Sequence, residues 1–261
     1  MRKNKRHHAK QSVEAAAPYS NYDPFSWFYE RYWCEDVPPA IFTVIERLLL
    51  PEISKKSRIL DVCCGTGYTV ARLERQGYSV AGLDGSEQML RFARKHAPRS
   101  AFVLADARRF NLPQIFDAAL ATFDSLNHLM TLAELEAAMT NVHRALRPAG
   151  LFLFDMNLES GFLNHWADYF SIVEPDEVCV LRGQYDREQR VGRYDITMFR
   201  LEGEAWQRSD AVITERCYSM KEIKGALTSA GFKDFSVFDA ERDLGLTDHT
   251  GRKFFLAKKE N

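Results

Sequence analysis

Residues able to do chemistry recur at the ends of apolar runs. The run Ile59-Leu60-Asp61-Val62-Cys63-Cys64-Gly65-Thr66-Gly67 ends in an acid, two small thiols and a Gly-Thr-Gly turn. Glycines at 65 and 67 let a backbone turn tightly and approach a ligand without a side-chain clash. The helix expected to open there offers N–H groups to a carboxylate or phosphate. Asp84 closes the next apolar run, where a carboxylate can accept two hydrogen bonds from ribose hydroxyls. Asp106 closes the one after it and can accept from an exocyclic amine. Taken singly, these are a tight turn, a helix-capping acid and a loop acid before Arg108-Arg109. Taken together, they describe a site for an adenosine-containing ligand. Met89 is placed to lie against an adenine ring, although its spacing also suits a core methionine. Val70 stands where a GxGxxG loop would carry its third glycine, and no Gly-Lys-Ser/Thr of a P-loop follows.

The elements that must position these residues alternate. Arg58 to Val62, Ser79 to Leu83, Ala101 to Ala105, Phe116 to Phe123 and Leu151 to Met156 read as five strands. Between them run helices over Gly67 to Gln76, from Ser86 to about His96, and from a capping box at Thr131-x-x-Glu134. Such alternation predicts an α/β, doubly wound, Rossmann-like sheet that binds its ligand beyond the carboxyl ends of the strands. Asp61, Asp84, Asp106, Phe123 and Asp155 all fall there. Upstream, Ile41, Val44, Ile45, Leu48 and Leu49 recur at helical spacing between Val37-Pro38-Pro39 and Pro51, each read as a break. Residues 165–217 change to a period of two and predict an inserted antiparallel β-sheet, with strands at Val178 to Leu181, Arg193 to Met198 and Ala211 to Tyr218. A second capping box, Ser219-x-x-Glu222, opens a helix ending at Gly231; Phe232 to Phe238 and Lys253 to Ala257 are the last strands.

The expected organisation is a disordered basic tail at 1–18, an N-terminal helical lid at 19–50, a ligand-binding core at 51–164, the insertion at 165–217 and completion of the core sheet by 218–261. The lid holds Tyr19, Tyr22, Phe25, Trp27, Phe28, Tyr29, Tyr32 and Trp33. These read either as core packing or as a cover that excludes water and contacts a cation.

A net charge of −1 gives no general pull toward nucleic acid or anionic membrane. No apolar run approaches the roughly 20 residues that span a bilayer, and Met1 to Lys10 is basic without the apolar segment of a signal peptide. The five cysteines show no ligand spacing, so neither a disulfide framework nor a metal site is expected; they suit a reducing, cytoplasmic compartment.

The stretch 59–67 resembles the first motif of the class I S-adenosylmethionine-dependent methyltransferases. Gly82-Leu83-Asp84-Gly85-Ser86-Glu87-Gln88-Met89-Leu90 resembles their second and Ala105-Asp106-Ala107 their third. Phe116-Asp117-Ala118-Ala119-Leu120 resembles their fourth strand, and Leu146-Arg147-Pro148-Ala149-Gly150-Leu151 the approach to their fifth. The family often has glycine where Cys63 stands. The resemblance implies a seven-stranded sheet with an antiparallel last strand and S-adenosyl-L-methionine as cofactor. It places Asp61 and the Gly65 and Gly67 backbone near the methionine part, Asp84 with Gly85 on the ribose, Met89 beside adenine, Asp106 with Ala107 on the adenine amine, and Phe123 near the sulfonium. Tyr22 is expected over the cofactor from the lid.

For the methyl acceptor, His128 is the expected proton acceptor and Asn127 the expected substrate holder, in the loop Asp124-Ser125-Leu126-Asn127-His128. Tyr29, Tyr32, Trp33 and Asn157 are the expected substrate contacts. Lid and insertion together favour a small-molecule acceptor, methylated on nitrogen or oxygen, with no nucleic-acid or membrane partner. The insertion serves as a substrate cover or as a homodimer surface. Two alternatives stay open on the sequence: a nucleic-acid or protein methyltransferase, which salt-dependent polymer binding would reveal, and a non-catalytic S-adenosylmethionine-binding protein on the same fold.

Overall fold

Alternation within the short apolar runs fixes which side of the sheet each strand residue faces. In β1 (Arg58–Val62), Leu60 and Val62 join one core layer and Ile59 the other. β4 (Phe116–Ala121) does the same with Ala119 and Ala121 against Ala118 and Leu120. Strands apolar on both faces belong inside a parallel sheet covered on both sides. The computed structural model describes residues 21–33, 38–166 and 168–261; the expected basic tail at 1–18, Tyr19, Cys34 and Val37 lie outside the described residues.

The main sheet adds β2 (Ser79–Asp84), β3 (Ala101–Leu104), β5 (Leu146–Asn157), β10 (Asp234–Asp239) and β11 (Arg252–Lys258). Its seven strands run in the order β10-β11-β5-β4-β1-β2-β3. The pairs β1–β2, β2–β3, β1–β4 and β4–β5 are parallel, while β11 is antiparallel to both β5 and β10. On one face α3 (Tyr68–Arg75) and α4 (Glu87–His96) bury Val70, Leu73, Leu90 and Ala93. On the other, α5 (Leu132–Ala145) and α7 (Met220–Ala230) bury Leu135, Met139, Val142, Ile223 and Leu227. At roughly 1.5–3 kcal/mol for each large apolar side chain, these two layers carry most of the sheet's stability. Both expected capping boxes form: Thr131 with Glu134, and Ser219 with Glu222.

The prolines read as breaks stand at helix boundaries. Pro38 and Pro39 open α2 (Pro38–Val44), where a missing N–H and a fixed φ suit the first turn. The helix continues through a π-helical segment, Ile45–Leu49, and a 3₁₀ turn, Leu50–Glu52, that contains Pro51. The chain becomes extended only at Ile53.

The insertion folds as a four-stranded antiparallel sheet, β6 (Tyr169–Val173), β7 (Glu177–Asp186), β8 (Val191–Glu202) and β9 (Ala205–Arg216), paired in that order. A helix that the sequence did not announce, α6 (Glu159–His165), precedes it. The inner face of this sheet is packed against the N-terminal aromatics. Phe25, which caps α1 (Ser26–Tyr32), and Phe28 within it share a core with Phe162, Trp166, Cys179, Leu181, Ile196, Met198 and Ile213.

Candidate active site

Parallel strands bring their carboxyl ends to one edge, and a cavity of about 730 Å³ opens there. It is lined by Asp61, Gly65, Asp84, Gly85, Met89, Asp106, Ala107 and Phe123 from the core. Tyr22, Tyr29, Tyr32 and Trp33 line it from the N-terminal segment, with His128 and Asn157 between. Two expected site residues stand elsewhere. Asn127 is fully buried, with its amide donating to the carbonyls of Asn157 and Arg216 at 3.1 and 2.8 Å. It ties β5 to β9 behind the cavity wall. Gly67 lies beneath the loop: a Cβ there would meet Ala93 Cβ and Cα at 2.7 and 2.8 Å, so its absence lets α3 and α4 close up. Asp155 is likewise not a cavity residue.

The loop after β1 is held from β2. Asp84 accepts the N–H of Gly65 at 2.8 Å through one oxygen and that of Ser86 at 2.8 Å through the other. Gly65 has φ +53 and nothing within 4 Å of where a Cβ would stand, so its backbone is bare toward the cavity. Cys63, at the usual glycine position of the family, adopts φ 59; for a side-chain-bearing residue that conformation costs about 1–2 kcal/mol. Burial pushes both the Cys63 and Cys64 thiols well up, so they stay neutral.

Asp61 is 2% exposed. Burial, followed by repulsion from Asp84, raises its pKa to about 8. Asp84 is raised too, by burial outweighing its backbone hydrogen bonds. Two carboxyls held this way favour a ligand that brings positive charge and hydroxyl donors. At the next strand end, burial works to raise Asp106, but hydrogen bonds from Arg108 hold it below the usual carboxylate range. Arg108 also reaches Glu134 at 2.6 Å, so Asp106 is fixed in place by a charge network before any ligand arrives.

The turn after β4 is supported from below. Phe123 and Asp124 both have positive φ, 64 and 49. Their N–H groups donate to the two oxygens of the fully buried Asp155, at 2.8 and 3.0 Å. Arg252 of β11 pairs with Asp155 and, at 3.3 Å, with Asp124. This arrangement aims Phe123 into the cavity and accounts for Asp155.

The N-terminal aromatic segment is held at three points. Asp23 accepts from Ser86 Oγ at 2.5 Å, Glu30 pairs with His96 at 2.8 Å, and Glu177 of β7 takes Arg31 and Tyr32 at 2.9 Å each. Tyr22 reaches over the cavity, and its hydroxyl lies 2.9 Å from His128 Nε2. His128 Nδ1 lies 3.0 Å from the carbonyl of Thr214. A carbonyl only accepts, so Nδ1 carries the proton and Nε2 holds the lone pair. Burial keeps the ring's pKa below its usual value, so it is neutral.

Residues 59–150 match the methyltransferase domain family. A putative methyltransferase of Bacillus subtilis, YqeM, is 30% identical over 215 residues, spanning 80% of this chain and 86% of that protein. The chain belongs to the S-adenosylmethionine-dependent methyltransferases. This methyltransferase is also 28% identical to the dTDP-3-amino-3,4,6-trideoxy-α-D-glucopyranose N,N-dimethyltransferase of Streptomyces venezuelae, over 72% of this chain and 81% of that one. Its fold is that of an S-adenosylmethionine-dependent methyltransferase from Clostridium acetobutylicum, with a TM-score of 0.75 and 21% identity over 92% of this chain and 99% of the other. Its cofactor is S-adenosylmethionine, and the bare Gly65 backbone and the pair of raised carboxyls fit that cationic, ribose-bearing molecule. Among the described residues, no helix is long and apolar enough to cross a membrane, and no three acid, His or Cys side chains cluster to hold a metal.

Sequence reasoning missed Asp23, Glu177, Glu215 and Arg252. Glu177 and Glu215 carried a signal: each sits in phase with the apolar, inward-facing residues of its strand.

Proposed function

We propose that the methyltransferase acts on a nitrogen or oxygen of a small-molecule acceptor. The observation that carries this reading is the cover on the acceptor end of the cavity. Tyr22, Tyr29, Tyr32 and Trp33 lie over it, and Leu181, Ile196 and Ile213 of the inserted sheet wall it. A polymer substrate needs an open groove, whereas a clasped lid suits an acceptor that is engulfed. The named activity of the Streptomyces venezuelae relative supports nitrogen. In this reading residues 51–164 and 218–261 hold the cofactor, while 19–50 and 165–217 hold the acceptor.

When bound, S-adenosylmethionine supplies an activated methyl group, so the protein's task is proximity and aim. Asp84 and Gly85 orient the ribose side, Met89, Asp106 and Ala107 the adenine side, and Asp61 and the Gly65 backbone the methionine side. The aromatic lid excludes water. His128, neutral and with its lone pair on Nε2, takes a proton from the acceptor once Tyr22 yields that position. Tyr29, Tyr32, Trp33 and Asn157 contact the acceptor.

The test is methyl transfer from labelled S-adenosylmethionine to the dTDP-linked 3-amino sugar, its 3-hydroxy counterpart, folded RNA and unfolded protein. Label in the small molecules is expected. Label in RNA or protein overturns the reading in favour of a polymer substrate. Cofactor binding with no transfer to any acceptor overturns it in favour of a non-catalytic role.

A further inference from the structure

A carboxyl stands where the inserted sheet calls for an apolar side chain. On β9 the inward row runs Ala211, Ile213, Glu215, and its members are 8, 6 and 4% exposed. Ala211 and Ile213 belong to the core shared with the lid. Glu215 is outside that core and lines the cavity, beside Ile213. Its Oε2 has no hydrogen-bond partner among the described residues. Its Oε1 lies 3.4 Å from His128 Nε2, the ring nitrogen that already holds a lone pair. Buried acids in folded proteins are paired; this one lines the ligand cavity with one oxygen, Oε2, unpartnered among the described residues.

The neighbours supply no compensating cation. Asp124 and Asp155 oppose ionisation of Glu215, and Arg252 favours it. Arg252, however, is already engaged by Asp155 and Asp124. Two further groups interact with Glu215, His128 and Tyr194, and both are neutral, Tyr194 because burial pushes its phenol up to about 12. Burial then drives the Glu215 carboxyl well up. The site is one positive charge short.

We propose that Glu215 is the residue that selects the acceptor: its carboxylate receives the amino group to be methylated, so basic amines are taken in preference to alcohols of the same shape. This rests on the small-molecule reading above. The amine enters as an ammonium and supplies the missing charge, while the proton of Glu215 leaves to solvent. The nitrogen then passes one proton to His128 Nε2, which frees its lone pair. That lone pair forms the new N–C bond as the C–S bond breaks with its electrons on sulfur. The methylated nitrogen ends positively charged, paired with Glu215, and sulfur ends neutral. The apolar walls of the same cavity, Leu181, Ile196 and Ile213, suit the carbon ring of such an amine.

Cyclohexylamine and cyclohexanol differ only in the group that Glu215 would read. Calorimetric titration of each into the protein saturated with S-adenosylhomocysteine is expected to show at least a tenfold preference for the amine. Repeating the amine titration at pH 7 in buffers of different ionisation enthalpy is expected to show release of about one proton per amine bound. Glu215→Gln keeps the shape and is expected to lose both the preference and the proton release, with S-adenosylhomocysteine affinity unchanged. Equal binding of the two probes, binding of neither, or a preference that survives Glu215→Gln overturns the proposal. The wild-type comparison decides by itself if the variant does not fold. Failure of S-adenosylhomocysteine to bind at all would strike the cofactor assignment instead, and label on RNA or protein would strike the small-molecule reading.

Discussion

Replacing Asp61 with Asn changes how the protein's stability depends on pH. In the unfolded chain this carboxyl titrates near 3.8, and in the fold near 8. Between those values the folded state keeps a proton that the unfolded state has released. Stability therefore falls as pH rises through this window and levels off above about 8. The slope is about 1.36 kcal/mol per pH unit while the two states differ by one proton. From pH 5 to pH 7 the loss from this one group is about 2.5 kcal/mol. Asn does not titrate, and Glu215, also raised by burial, titrates in both proteins and cancels. Urea unfolding of cofactor-free wild type and Asp61→Asn at pH 5, 6 and 7 should show the wild type losing about 2.5 kcal/mol relative to the variant. A difference that stays constant across this range would refute the reasoning, because Asp61 would then ionise in the fold as it does in water. The same logic predicts proton release when the cofactor binds at pH 7, since a positive charge beside Asp61 draws its pKa back down.

Asp84→Ala removes the acceptor of Gly65 N–H and the proposed acceptor of the ribose, and calorimetry should show about a 10- to 100-fold weaker Kd for S-adenosylhomocysteine. The two loop glycines should separate by readout: Gly67→Ala forces a Cβ onto Ala93 at φ +77 and should cost at least about 2 kcal/mol in urea unfolding. Gly65→Ala meets open space, so it should cost only about 1–2 kcal/mol for its φ +53 backbone while also weakening cofactor binding by placing a methyl group in the cavity. The hydrogen bond that His96 donates to Glu30 raises its pKa against burial. This clasp is fully present below pH 6.5 and is lost as pH rises through the raised value, so hydrogen exchange at residues 26–32, corrected for intrinsic rates, should quicken there. In Glu30→Gln that pH dependence should disappear. Thr131→Ala breaks a capping box and should destabilise the protein by about 1 kcal/mol with no change in cofactor affinity.

That the strand-end residues expected at the cofactor would line one cavity was legible because the rules that place them are local. A strand apolar on both faces followed by Gly-Thr-Gly marks a turn, and an acid closing each neighbouring strand lands on the same edge once the strands are parallel. Met89 follows from a cap at Ser86 one turn earlier. The acceptor half depends on which distant segments meet. Nothing near His128 announces that Thr214 fixes its tautomer or that Glu215 lies beside it, because β9 arrives from another sheet. Asn127 was misread for the same reason: as a loop amide it suited a substrate, but its partners in β5 and β9 are invisible in the local sequence. The aromatic segment divides between core and cavity, with Phe28 fully buried in the core and Tyr22, Tyr29, Tyr32 and Trp33 lining the cavity. The helix α6 has too short a periodic stretch to stand out.

The pairing of Arg252 with Asp155 and Asp124 sets an order of assembly. β11 is the last strand of the chain, yet it lies inside the sheet, between β10 and β5. A growing chain that has emitted everything up to residue 251 holds two acids beneath the Phe123 turn with no cation to neutralise them, a state that typically costs about 3–5 kcal/mol when one partner of a buried pair is missing. The turn that aims Phe123 at the methyl-transfer cavity is therefore finished only when the final strand slots into the sheet. Synthesis that stops short of that strand yields a chain with every cofactor motif and no finished place to put the cofactor.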